Sequence, residues 1–325
     1  AEKYAHIRDE LFMMHNLAVR LSKLRHDRGS LDFDLDEAYI TLDENGIPSG
    51  IGIAQRRSAN KLIEEFMLLA NETVAEHFYW METPFVYRVH EKPAADKIEQ
   101  LRIFLKGFGI TLRGNADGIH PKAICSVLDS AKGKPGEDVV NSVTLRSMQK
   151  AFYSTSCEGH FGLALKYYCH FTSPIRRYPD LMIHRIIKQS IHEGLSDKAL
   201  KHFRKKAEYA ADQSSIAERK AVEAEREVEK LKKAEYISYH VGEIFDGVIS
   251  GVTGFGIYVQ LENTVEGLVR IDELRDDYYD YHKEKYALEG RRTGNVYRLG
   301  DEVRVIVDHV DLEKHEIDFL IAGHL

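Results

Sequence analysis

The stretch GHFGLALKYYCHFTSPIRRYPDLMIHRIIK, residues 159–188, changes grammar twice. It opens with the alternation of a strand, passes through a loop rich in turn formers, and re-enters a helix. Pro179 suits the first turn of that helix, where its missing N–H is no loss. The loop is chemically dense. Arg176 and Arg177 are adjacent, Thr172 and Ser173 precede them, Tyr178 and Asp180 follow, and His184 and Arg185 come one helical turn further on. Guanidinium groups make bidentate contacts to phosphate oxygens, and hydroxyls add neutral hydrogen bonds. The loop therefore has the makings of a polyanion clamp. The same residues also fit a plain surface loop whose arginines pair with Asp180 and other carboxylates.

The charge around this loop sharpens the reading. From Thr144 to Lys188 there are seven basic and two acidic residues, inside a 325-residue chain of net charge −7. That balance excludes a globally basic nucleic-acid binder but leaves room for a locally basic groove. A hydrophobic content of 43 % supports a packed core, and the length suits about two domains. No apolar run reaches the ~18 residues of a membrane span. The opening AEKYAHIRDE lacks the apolar core of a signal peptide. Cys125, Cys157 and Cys169 are odd in number and have no CxxC spacing, which argues against both a disulfide framework and a cysteine-rich zinc site and for a reducing cytoplasm.

Upstream, Ile7, Leu11, Met14, Ala18, Leu21 and Leu24 recur at helical spacing over residues 2–26. Residues 31–41 alternate like a strand, Glu44-Asn45-Gly46 signals a turn into a second strand, and Ser58 opens a helix that Pro84 closes. FVYRVH (85–90) is a short strand, and two or three helices follow up to Lys150. Residues 197–236 predict a long charged helix with a stripe of Phe203, Ala207, Ala210, Ala211, Ile216, Val222, Val228 and Leu231. Near residue 240 the pattern turns to β. VGEIFDGVISGVTGFGIYVQLE, EGLVRI, YRLGDEVRVIVDHVD and KHEIDFLI are short alternating stretches split by Gly and Asp, which predict a five-stranded OB-fold barrel. The fold class is α+β, with one domain over 1–236 and the barrel over 237–325.

Other candidate site residues lie outside the arginine loop. Glu64 and Asn71 sit at i and i+7 with Leu68 between them, on one face of an otherwise apolar helix, where they would need partners. They suit a ribose hydroxyl or an arginine, or else a structural hydrogen bond. Phe33 is either core or a base-stacking ring. Phe245, Phe255 and Tyr258 on the first barrel strands suit a stacking platform for single-stranded nucleic acid, although some of them must fill the barrel. Asp32, Asp34 and Asp36 would share a strand face, as an acidic edge or a metal site. There is no HExxH, GxSxG, Walker or GxGxxG motif.

At these residues the sequence resembles a known family. HFTSPIRRYPDLMIHR, with RGSLDF, RRSANKLIEEFMLLANE and LRSMQKAFYS, is similar to the second half of the RNB catalytic domain of ribonuclease R and ribonuclease II, and closer to the former. The segment from VGEIFDG to EGLVRI resembles an S1 RNA-binding domain. The resemblance implies processive 3′→5′ hydrolysis of single-stranded RNA to nucleoside 5′-monophosphates at a Mg²⁺-dependent site. It implies a catalytic role for Arg176, and RNA contacts for Phe33, Glu64, Arg177, Tyr178 and Glu218. The family's metal-binding aspartate run, its tyrosine clamp and its cold-shock domains have no counterpart here, nor has the lysine-rich tail of ribonuclease R. The Mg²⁺ ligands are thus expected outside this chain, in an N-terminal half of the same enzyme that would be its partner beside RNA. The alternative is a non-catalytic RNA-binding or regulatory protein derived from the same family.

Overall fold

A computed structural model of the chain describes residues 2–33, 37–134 and 136–324. Asp34 and Asp36 of the acidic alternation lie outside them. A short 3-10 turn leads into α1 (Arg8–Arg28), which ends at Gly29 in a left-handed cap. Strands β1 (Ala38–Leu42) and β2 (Pro48–Ile53) form an antiparallel hairpin, with Ala38 opposite Ile53. Helix α2 (Ser58–Trp80) opens with a capping box in which Arg57 and Asn60 exchange hydrogen bonds. Strand β3 (Tyr87–Val89) follows. Then come α3 (Ala95–Gly107), α4 (Pro121–Ala131) and α5 (Glu137–Arg146). Strand β4 (Phe152–Ser154) pairs with β3, and α6 (Tyr178–His192) carries Pro179 in its first turn.

Helix α7 (Asp197–Ser238) is 42 residues long, about 63 Å at 1.5 Å per residue. Its ends are buried, through Phe203, Ala207, Ala210 and Ala211 at one and Ala234 and Ile237 at the other. Ile216, Val222 and Val228, expected in the stripe, are exposed instead. The helix spans the gap between two cores, and its residues 219–228 between them are exposed. A similar correction applies to α1. Ala18 is its one buried residue, while Leu11, Phe12, Met13, Leu17 and Leu24 face solvent among the described residues.

The first core gathers α2, β3, β4, α6 and the start of α7, with Phe78, Phe85, Val89, Met182, Ile183 and Phe203 among its members. The second joins α3–α5 to the barrel. Phe104 meets Tyr286 edge-on at 5.2 Å, so the barrel shares a core with the helices rather than hanging from a linker.

The barrel consists of β5 (Ile244–Thr253), β6 (Gly256–Leu261), β7 (Glu266–Arg270) and two later strands. Between them β8 (Tyr279–His282), β9 (Ala287–Gly290) and β10 (Val296–Arg298) form a separate three-stranded sheet. Strands β11 (Glu302–Asp311) and β12 (Glu316–His324) then complete a closed barrel in the order β11-β12-β7-β6-β5. β12 runs parallel to β7, and β11 closes on β5 antiparallel. This is the five-stranded OB-type connectivity that the spacing predicts. Gly267 is required where it stands, because a Cβ there would lie 2.6 Å from the buried Phe319 ring.

Candidate nucleic-acid interface

The arginine loop is held from three sides. Asn71 of α2 is 3 % exposed, and its side-chain amide is fully engaged. Its Nδ2 donates to the Tyr168 hydroxyl at 3.2 Å, and its Oδ1 accepts the Phe171 N–H at 2.9 Å. The structure thus corrects the expectation that this amide faces RNA: it anchors the approach to the loop. His184 stacks on Phe171 at 4.4 Å, with its Nε2 3.0 Å from the Phe171 carbonyl. Asp180, in the first turn of α6, is fully buried. Its Oδ1 accepts the Ser173 N–H at 2.8 Å and Arg177 Nη2 at 2.7 Å.

These bonds divide the two arginines. Arg177 is turned inward with its Nη2 paired to Asp180, as the plain surface-loop alternative required. Arg176 is exposed at the tip beside Ile175, which is 99 % exposed. The backbone N–H groups of both arginines return to the Ser173 carbonyl. Tyr178 is part-exposed at the start of α6. Three buried polar atoms below the tip, Thr172 Oγ1, Arg177 Nε and Asp180 Oδ2, have no protein partner among the described residues. Buried polar groups are normally satisfied, so this local concentration marks a place where a further polar group completes the hydrogen bonding.

Arg88 and Tyr153 escaped the sequence reading. Arg88 on β3 donates to Glu218 Oε2 of α7 at 2.6 Å and lies over the Tyr153 ring at 4.6 Å. Glu218 is therefore paired, in a part-buried position behind the loop. The Tyr153 hydroxyl is 2.9 Å from His170 Nδ1. Burial, reinforced by Arg177 and Arg88, pushes the His170 imidazole down to about 2. Burial and the neighbouring His90 lower His160 to about 3. Both rings are neutral at pH 7. The signal available in the sequence was Arg88 itself, a lone cation inside the short apolar strand FVYRVH.

Glu64 is placed apart from Asn71. Along the face they share, Glu64 is half-exposed, while Asn71 is buried against Tyr168 and Phe171. Arg56 binds Glu64 Oε2 at 2.5 Å and Asp32 Oδ1 at 3.1 Å, while Arg25 binds the buried neighbour Glu65 at 2.9 Å. Arg25 and Arg56 line a cleft of about 310 Å³ together with Asp32, Glu65, His15 and Lys61. Phe33 leaves this cluster and packs, partly buried, against the second core.

The barrel aromatics do not share one face. Phe255 is 55 % exposed in the β5–β6 turn and meets the half-buried Tyr258 edge-on at 6.2 Å. Tyr258 alternates outward from the buried Ile257 and Val259. Phe245 instead packs against the core, near His240. The expected three-ring platform is a two-ring one.

Among the described residues no set of carboxylates that could hold Mg²⁺ gathers around Arg176. Among the described residues the one trio with metal-ligand composition is His26, Cys125 and Asp129, which shares no residue with the loop. Two-metal phosphodiester cleavage needs acidic oxygen ligands. The residues present do not fit that ion.

Comparison with known proteins agrees with this geometry. Residues 1–193 match the RNB domain model and residues 238–322 the S1 RNA binding domain model. The chain belongs to the RNB family. It is 46 % identical to Ribonuclease R 1 of Lactococcus lactis over 98 % of its length, and 38 % identical to ribonuclease R of Escherichia coli K12 over 99 %. It spans 39 % and 40 % of those relatives. Mycoplasma genitalium RNase R, solved in an apo form and in complex with ribose methylated single-stranded RNA, superposes with a TM-score of 0.90 at 31 % identity, over 97 % of this chain and 50 % of that one. The exposed middle of α7 falls between the two matched domains. No described helix is long and apolar enough to cross a membrane.

Proposed function

We propose that this chain carries the arginine-bearing half of an exoribonuclease that works in the cytoplasm. The enzyme hydrolyses single-stranded RNA processively from the 3′ end and releases nucleoside 5′-monophosphates. Residues 1–236 supply this half of the catalytic domain, and residues 237–325 grip the RNA upstream. The observation that carries the reading is the division of labour at the loop tip. Asp180 holds Arg177, which leaves the adjacent Arg176 exposed at the tip of the turn, with no side-chain partner among the described residues.

A guanidinium so placed stabilises charge developing on the scissile phosphate. Tyr178 and the Thr172–Ser173 edge flank it in the chain, and Glu64, paired with Arg56, and Glu218, paired with Arg88, are further RNA contacts. Phe33, Phe255 and Tyr258 offer ring faces to bases. Carboxylates of the enzyme's N-terminal half would hold any Mg²⁺, which would supply Lewis-acid chemistry. The homologues named ribonuclease R and the RNA-bound neighbour support this assignment.

The test is reconstitution. The isolated chain with Mg²⁺ should leave a 5′-labelled oligo(A) intact, and adding the N-terminal half should convert it to a short labelled end product with few intermediate lengths. In the reconstituted enzyme Arg176→Ala should lower kcat far more than it weakens RNA binding. Equal losses would make Arg176 a simple phosphate anchor. An assembly that binds RNA and never cleaves it would favour the non-catalytic reading.

A further inference from the structure

His26 lies in the last turn of α1, and Cys125 and Asp129 stand at i and i+4 on one face of α4. His26 Nδ1 is 3.7 Å from Cys125 Sγ, and His26 Nε2 is 3.3 Å from Asp129 Oδ2. Cys125 Sγ is 4.0 Å from Asp129 Oδ2. One ligand atom from each residue lies within 4.8 Å of the other two. Tetrahedral zinc, with bonds of about 2.0–2.3 Å, spaces its ligand atoms about 3.3–3.7 Å apart. Small side-chain rotations therefore close the trio around one ion.

The approach of the two helices does not depend on the trio. Gly29 caps α1 with a φ of +100°, and a Cβ there would lie 2.7 Å from the backbone nitrogen of Lys122 and 2.9 Å from its Cα. The backbone contact thus brings His26 over α4 before any ion binds. The thiol is buried while His26 and Asp129 are exposed, which leaves an entry path and a fourth position open to water.

We propose that His26, Cys125 and Asp129 bind a thiophilic divalent cation of the zinc class, which staples the end of α1 to α4. On binding, the Cys125 thiol gives its proton to water, and thiolate and carboxylate together neutralise the ion's two charges. The ligand set selects against Mg²⁺, which takes hard oxygen donors. The site is thus separate from any metal centre that serves Arg176. The staple matters because α1 has one buried residue holding it. The segment just beyond His26 carries Ser30, Asp32 and Phe33, so the ion would order that part of the candidate interface.

Cobalt(II) titration of the metal-free 325-residue chain tests this without RNA. One equivalent should produce a near-ultraviolet thiolate-to-cobalt charge-transfer band, which zinc abolishes and millimolar Mg²⁺ leaves unchanged. Cys125→Ser should remove the band, and Cys157→Ser should keep it. His26→Gln, at an exposed position that the fold does not need, should weaken binding at least tenfold. Hydrogen exchange over residues 25–33 should slow on adding zinc. Absence of a saturable band overturns the proposal. So does a band that survives Cys125→Ser, or wild-type affinity in both His26→Gln and Asp129→Asn.

Discussion

Replacing Asp180 tests whether the arginine loop is built as described. The carboxylate is fully buried and accepts two hydrogen bonds on Oδ1, from the Ser173 N–H and from Arg177, whose side chain is itself largely buried. Asp180→Ala removes both and leaves a buried guanidinium without its counter-charge. Breaking a buried pair from one side costs about 3–5 kcal/mol. At about 2–4 °C per kcal/mol for a unit of this size, the melting temperature should fall by roughly 6–20 °C. Urea denaturation reads the same quantity as a lower midpoint at unchanged slope. Asp180→Asn keeps an acceptor for Ser173 and loses the charge, so it should cost less than half as much. A double-mutant cycle with Arg177→Met isolates the pair, because without the guanidinium the carboxylate's removal should cost much less. An Asp180→Ala loss under about 1 kcal/mol would refute the claim that this carboxylate organises the loop, and strict additivity in the cycle would refute the claim that Arg177 is spent on it.

Acid should destabilise the chain through its neutral histidines. His160 and His170 are held neutral at about 3 and about 2, against 6.5 unfolded, so the unfolded state takes up their protons first. Their contribution is complete above pH 6.5 and is lost as pH falls below it, at about 1.4 kcal/mol per pH unit per histidine. His170→Asn should flatten the dependence of the urea midpoint on pH between 6.5 and 4.5, and an unchanged slope would contradict the assignment. In the barrel, Phe255→Ala should weaken binding to oligo(U) by about 1–3 kcal/mol with little change in stability, as expected of an exposed stacking ring. Phe245→Ala should do the reverse, and fluorescence anisotropy alongside thermal melts separates the two.

Much of this molecule was legible in its residues because local chemistry carries it. Pro179, the alternation of the barrel strands and the net basic stretch around Arg176 need no tertiary context. The long motifs fixed the family resemblance for the same reason, since each lies within a single contiguous segment. The three-stranded sheet of β8–β10 was missed because its strands are three or four residues long, too short for alternation to show.

The arrangement of the site was decided elsewhere. Arg176 and Arg177 are identical in composition and adjacent in the chain, yet one is exposed and the other is tied to Asp180, which follows from the turn at Ser173 and the burial of α6. Asn71 and Glu64 share a helix face, yet one is sealed in against Tyr168 and Phe171 and the other is half-exposed. The Arg88–Glu218 pair joins residues 130 positions apart, and the His26–Cys125 approach joins residues 99 apart. Periodicity states which way a side chain points from its own helix or strand. What it meets there depends on elements distant in the chain, and that is settled only when the chain has folded.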